Sequence, residues 1–310
     1  MLFASTGLVR DLFYVLGLAS FPVYLFDGTK PVLFEGGVAC AGEIYVQAIR
    51  SVLGTRQPEI LFITHAHWDH CGAVSYLKDA FPSLRIAASR KAAEILKRKN
   101  ARELIVRLNK STKSIAATFP EVDTSQLVEE GFRPFEVDLE LKDGQVIELD
   151  EGMSVEVLAT PGHTRDLMSY YIPQKKVLIA GEAAGSLDSV GNIITQFVAD
   201  YNAYLSSLKR MADLPVEILC QGHRVVFVGS DEVRAFLTRS ISATIDFKDR
   251  VYELLETEAG SIDRVVGRIK AEQYDINQGI KQPEDPYLLN LKAQVTHLAE
   301  RLSPFAGKKT

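Results

Sequence analysis

The sequence predicts an α/β sandwich carrying a C-terminal helical extension, and three observations carry the prediction. Short apolar runs rich in β-branched and aromatic residues alternate with helically spaced segments up to about residue 220. One of those runs, Ile60-Leu61-Phe62-Ile63, is apolar at every position, as in a strand covered on both faces. Beyond residue 230 the pattern is helical only, so the chain divides into 1–230 and 231–310.

In chain order, Leu12–Leu16, Val23–Phe26 and Val32–Phe34 read as strands punctuated by Gly17, Asp27-Gly28 and Gly36-Gly37. Ala41–Leu53 places Ile44, Ala48, Ile49 and Val52 on one helical face. Glu59–Thr64 is a strand, Gly72–Ala80 a helix and Arg85–Ala88 a strand. Residues 89–118 read as helical and basic, with nine Lys or Arg between Arg90 and Lys113 against Glu94 and Glu103. Strands resume at Gln145–Leu149, Ser154–Ala159, Met168–Ile172, Lys176–Ala180 and Val216–Cys220, with a helix at Asp200–Met211. In the extension, Ser230 and Ser261 are expected helix caps, Pro283–Pro286 marks a break, and Leu288–Leu302 forms a last helix.

The totals exclude several classes. With 46% hydrophobic and 24% charged residues, the 310-residue chain has a soluble globular composition, and its net charge of −5 argues against general nucleic-acid binding. The longest uncharged run, Leu12 to Phe26, falls short of the about 20 residues a bilayer span needs and contains Gly17 and Pro22. Cys40, Cys71 and Cys220 make an odd number with no CxxC pair, and no signal-peptide pattern opens the chain. The expectation is a cytoplasmic protein with a small-molecule substrate, no membrane or nucleic-acid partner, and an apolar tail suited to homodimer contact.

Chemistry concentrates in the histidines. Of six in the chain, three fall in Thr64-His65-Ala66-His67-Trp68-Asp69-His70, where a buried strand gives way to a helix. Sites in α/β folds lie at such strand ends. Neutral imidazoles and a carboxylate are good ligands for Zn, Fe or Mn, whereas an unmetallated cluster would be a poorly satisfied polar group. His163 behind Gly162, Glu182 behind Gly181 and His223 behind Gly222 each follow another predicted strand. Four strand ends therefore present candidate ligands. Cys71 reads as a small buried residue at a helix start, Tyr201 and Tyr204 as core, and His297 as a surface residue of the last helix. Asp166 suits either a partner orienting His163 or a local turn.

His65-x-His67-x-Asp69-His70, followed in order by His163, Glu182 and His223, resembles the signature of the metallo-β-lactamase superfamily over roughly residues 10–230. The resemblance implies a four-layer αββα sandwich with two divalent metal ions at one edge. It assigns His65, His67 and His163 to one ion, Asp69, His70 and His223 to the other, and the acidic residue at 182 to a bridge. The family's usual bridge is Asp, so Glu182 is a departure; Phe34-Glu35-Gly36-Gly37, in place of the frequent Asp-Thr-Gly run, is another. Glu35-Gly36-Gly37, His70-Cys71-Gly72 and the helical tail are similar to the quinolone-signal response thioesterase branch, and the tail more distantly to glyoxalase II.

The resulting expectation is a hydrolase using metal-activated water, with Asp69 as the catalytic residue accepting a hydrogen bond from the nucleophile. An ester or thioester is the first substrate class, because the tail suits selection of an acyl or thiol group. The alternatives are a phosphodiesterase or nuclease using the basic 90–113 segment, an iron persulfide dioxygenase, and a non-enzymatic regulator that keeps its metal site.

Overall fold

The computed structural model describes residues 1–110, 112–117, 122–129, 131–150, 152–188, 190–276 and 284–302. Among them the strands form two seven-stranded mixed sheets and a two-stranded ribbon. The first sheet runs, in spatial order, Gly7–Arg10, Phe13–Leu18, Phe21–Phe26, Val32–Phe34, Ile60–Phe62, Arg85–Ser89 and Leu139–Leu141. Pairing is antiparallel up to Val32–Phe34 and parallel beyond it. The second sheet runs Leu2–Phe3, Val226–Val228, Ile218–Gln221, Val177–Gly181, Met168–Ile172, Ser154–Ala159 and Val146–Glu148. Its one parallel pair among the described residues joins Val177–Gly181 to Ile218–Gln221.

Strand periodicity explains why the apolar runs are continuous. Val32, Phe34, Ile60 and Phe62 turn toward the other sheet and pack in one core with Val155, Val157, Tyr170, Ile179 and Ile218. Their neighbours Leu33, Leu61 and Ile63 turn the other way, into a core shared with Val46, Ile49, Val74 and Leu77 from the helices Gly42–Leu53 and Val74–Ala80. Both faces of the central strands are thus dry, so alternation disappears from the sequence. Between the sheets, Phe62 meets Phe34 at 5.2 Å and Tyr170 at 5.1 Å between ring centroids. The Tyr170 hydroxyl donates to the Ile63 carbonyl at 2.6 Å, which satisfies the one polar group of that side chain.

By contacts the chain forms two compact units. The first comprises Met1–Ala159, Asp166–Gly181 and Val216–Ser230 and holds both large sheets. The second comprises Thr160–Arg165, Glu182–Pro215 and Asp231–Thr310. It holds the ribbon of Ser186–Leu187 with Ile193–Ile194, the helix Tyr201–Ala212, and the C-terminal helices up to Glu284–Leu302. The helix from Ser230 runs unbroken to Thr257, and Ser261 caps the helix Ile262–Ile269 by accepting from the Arg264 amide, as expected. Pro286 lies in the first turn of the last helix, where its missing N–H costs nothing, while Pro283 lies outside the described residues.

Two differences from the sequence reading have physical causes. Val216–Cys220 is not the final strand: Val226–Val228 folds back antiparallel on it, and Leu2–Phe3 pairs with that strand in turn. These strands are too short to show a period of their own, and Leu2–Phe3 finds its partner more than 200 residues away. The helix expected from Gly72 begins at Val74, and a separate turn of helix, Trp68–Cys71, precedes it inside the histidine cluster. Among the described residues no helix is long and apolar enough to cross a membrane; Leu12–Phe26 is instead the Phe13–Leu18/Phe21–Phe26 hairpin.

Candidate metal centre

The strand Ile60–Phe62 delivers Thr64 and His65, and backbone hydrogen bonds arrange the loop beyond them. The Thr64 carbonyl accepts from the Met168 amide at 2.9 Å and the Ala66 amide donates to Asp166 Oδ2 at 2.9 Å, fixing the backbone on either side of His65. His67 is extended (φ −80°, ψ 152°) and its carbonyl starts the one-turn helix by accepting from His70 and Cys71. That single turn carries Asp69 and His70 back toward His65. The His65 ring lies 4.4 Å from both the His67 and His70 rings. His223, just past Ile218–Gln221, completes the group: its ring is 5.3 Å from that of His70, and its Nε2 is 3.5 Å from Asp69 Oδ2. Gly72 makes the close return possible, because a Cβ there would sit 2.6 Å from the Ala39 nitrogen and from the Trp68 carbonyl.

His163 and Glu182 belong to short stretches held by the chain itself. Thr160–Arg165 is bonded at both ends to the first unit, through Ala159 and Asp166, and Glu182 directly follows Gly181 at the end of Val177–Gly181. His163 Nε2 lies 3.8 Å from Glu182 Oε2, and both side chains are buried. Ligand atoms of His65, His67, His163 and Glu182 all lie within 4.8 Å of one another, as do those of Asp69, His70, Glu182 and His223. Two ligands facing each other across one ion at ~2.1 Å would be about 4.2 Å apart, so each group has close to the span of one coordination sphere. All seven predicted ligands fall in these groups, and Glu182 is common to both.

The outer hydrogen bonds favour ring nitrogens prepared for metal. His163 Nδ1 lies 2.6 Å from the Gln196 carbonyl and His223 Nδ1 lies 2.9 Å from the Ser20 carbonyl. A carbonyl only accepts, so each Nδ1 carries the proton and each Nε2 of the neutral ring offers a lone pair. His70 Nδ1 lies 3.0 Å from the Glu35 carboxylate. Thr64 Oγ1 donates to the same Glu35 oxygen at 2.7 Å, so its oxygen is left to accept from His65 Nδ1 at 3.0 Å. Four imidazoles thus share one tautomer through fixed partners, the arrangement that orients metal-binding histidines. This donor set of neutral imidazoles and carboxylates fits Zn, Fe or Mn.

Glu35 is the residue whose role the sequence reading missed. It is buried, its backbone is in the left-handed region (φ 68°), and it meets one candidate ligand, His70, directly and another, His65, through Thr64. Its signal was a carboxylate at the end of an apolar strand. Asp166 holds the Ala66 amide, and the partner of His163 Nδ1 is the Gln196 carbonyl instead. Cys71 is fully buried, and burial first, then the Asp69, Asp166 and Glu35 carboxylates, push its thiol well above the ordinary range, leaving it a packed, protonated residue. Tyr201 and Tyr204 are core, as expected. His297 is not a surface residue: it is half-buried and its Nε2 accepts from the Tyr201 amide at 3.0 Å. Only tertiary packing brings those two residues together, and burial lowers the pKa of the ring.

Comparison with known proteins bears on the family and the fold. The family model for the metallo-beta-lactamase superfamily matches residues 18–223. A beta-lactamase-like protein 2 homolog of Caenorhabditis elegans is 26% identical over 201 residues, 64% of this chain and 54% of that protein. The atrochrysone carboxyl ACP thioesterase of Aspergillus fumigatus is 24% identical over 237 residues, 76% of this chain and 56% of that enzyme. The chain thus spans about half the length of these curated relatives. Among solved structures, a metallo-beta-lactamase family protein of Thermus thermophilus superposes with a TM-score of 0.61 at 19% identity, over 97% of this chain and 93% of that one. At that identity the likeness speaks for the fold alone.

Proposed function

The chain belongs to the metallo-β-lactamase superfamily, and from that footing we propose that it is a dinuclear metal-dependent hydrolase of esters or thioesters. The observation that carries the proposal is the pair of four-residue donor groups sharing Glu182. A lone group would serve one ion; two groups with a common carboxylate are what a bridged pair requires.

Divalent ions bound there would supply Lewis acidity and lower the pKa of a bound water toward ~7. The remaining work belongs to the chain. Asp69, whose carboxylate oxygens lie 3.5 Å from His223 Nε2 and 3.9 Å from His70 Nε2, would accept a hydrogen bond from the attacking water. Glu35, the Gln196 carbonyl and the Ser20 carbonyl keep the imidazoles in the tautomer that leaves Nε2 available. Phe21 packs edge-on against His223 at 5.6 Å and lies 6.0 Å from Trp68, giving the first unit an aromatic wall beside its ligands. Apolar and aromatic surroundings of this kind are common where small organic substrates bind.

The thioester reading is supported by the name of the Aspergillus relative, a carboxyl ACP thioesterase. The phosphodiesterase reading rests on the basic helices, where Arg90–Glu94 and Lys99–Glu103 are exposed i,i+4 pairs of the kind that line solvated faces, so we rank it second. Metal-replete protein is therefore expected to hydrolyse simple acyl thioesters or aryl esters, with kcat/KM at least about a hundredfold above that for bis(p-nitrophenyl) phosphate, a difference of ~2.7 kcal/mol in barrier. Preference for the phosphodiester would reverse the substrate assignment. Consumption of oxygen with a persulfide substrate would move the chain to the dioxygenase class, and bound metal with no turnover on any of these would favour a regulatory role.

A further inference from the structure

The C-terminal helices belong to the same compact unit as His163, and a continuous set of hydrogen bonds leads from one to the other. Three successive amides, Val198, Ala199 and Asp200, point at the Gly162 carbonyl at 2.9–3.1 Å, and the Ala199 amide also reaches the His163 carbonyl at 3.1 Å. The Ser207 hydroxyl donates to the Pro161 carbonyl at 2.8 Å. Gly162 (φ +134°) allows this approach, because a Cβ there would lie 2.3 Å from the Tyr204 backbone. The Gln196 carbonyl, from the same stretch, holds His163 Nδ1. The backbone and ring of this ligand are therefore both gripped by residues 196–207.

That stretch is in turn held by the extension. The first-turn amides of the helix Tyr201–Ala212 need acceptors from outside the helix. Asp200 caps the Ala203 amide, and His297 Nε2 accepts from the Tyr201 amide at 3.0 Å. One turn earlier on the last helix, Gln294 donates to the Thr195 carbonyl at 3.0 Å. Thr244, on the long helix, bonds Thr195 Oγ1 at 2.9 Å. Phe197 packs on Phe247 and edge-on toward His297. His297 and Gln294 thus attach the last helix, through polar bonds, to the segment that orients His163.

We propose that His297 is a positioning residue for the metal ligand His163, acting through the Tyr201 amide, so that the C-terminal extension sets the affinity of the ion held by His65, His67, His163 and Glu182. The inference rests on the metal-centre reading above. It differs from a packing role in requiring an acceptor at this position, rather than an imidazole or a given volume.

The test is zinc titration of full-length protein stripped with chelator, read by calorimetry, with elemental analysis after dialysis. His163→Ala and His223→Ala report which binding step belongs to which donor group. His297→Ala is expected to weaken the His163-dependent step by about tenfold, the low end of what loss of a ligand's direct partner costs, and to leave the His223-dependent step within about threefold. His297→Gln, whose Oε1 reaches the position of the Nε2 acceptor, is expected to recover most of the loss, and Gln294→Ala to weaken the same step. Hydrogen exchange at residues 160–165 should accelerate in His297→Ala even if that variant is less stable overall. Equal weakening of both steps, wild-type titration of His297→Ala, or failure of His297→Gln to improve on alanine would each overturn the positioning role. Wild-type protein that takes up no zinc would overturn the metal-centre reading and this inference together; intact wild-type binding with unaffected variants would overturn the inference alone.

Discussion

Glu182→Ala is expected to keep one ion and lose the second, its affinity for the second falling by at least about a hundredfold, or ~2.7 kcal/mol. Glu182 is the residue common to both donor groups, and it is buried beside His163. With the carboxylate gone, His65, His67 and His163 still provide three imidazoles for one ion. The other group retains Asp69, His70 and His223, but two dications would then approach each other with one less negative charge between them. Glu182→Asp keeps that charge and shortens only the reach, so it should bind the second ion at an intermediate affinity. Titration of each variant with Zn, Mn and Fe reads the difference. Unchanged two-ion binding in Glu182→Ala would remove this residue from the ligand set and leave six protein ligands.

The second large effect is expected at the loop itself. His67→Ala and Asp69→Ala should each lower kcat by at least about a hundredfold, ~2.7 kcal/mol of barrier, on whichever thioester or ester proves to be the best substrate. His67 starts the one-turn helix with its carbonyl and offers its ring to the first donor group, so the alanine variant keeps the backbone bond and loses the ligand. Asp69 has a double role in the proposed mechanism, in which it belongs to the second group and accepts a hydrogen bond from the attacking water. Asp69→Asn separates the two roles, because its amide oxygen can still ligate while its charge and one acceptor are gone. Full turnover in Asp69→Ala with both ions retained would place the chemistry elsewhere.

The candidate ligands were legible in the sequence because their pattern is local. His65, His67, Asp69 and His70 fall within six residues after a fully apolar strand, and His163, Glu182 and His223 each follow a strand and a glycine. The central strands were legible for the same reason: Ile60–Phe62 is buried on both faces, and its composition says so. The surroundings of the ligands were not legible, because they depend on pairing across long separations. Glu35 reaches Thr64 and His70 only because Val32–Phe34 pairs in parallel with Ile60–Phe62, Phe34 opposite Phe62. The acceptors for His163 and His223 are backbone carbonyls, of Gln196 and Ser20, which leave no mark in residue type. His297 looked like a polar residue on an amphipathic helix, and only the docking of that helix makes its ring a cap for Tyr201.

The proposed mechanism requires this donor set to hold two ions. Elemental analysis of protein expressed with ample metal and purified without a chelating tag tests it most directly. The arrangement predicts close to two transition-metal ions per chain, about one for each four-residue group. A folded protein with below about 0.2 ion per chain after replete expression would contradict the metal centre and, with it, the hydrolytic mechanism.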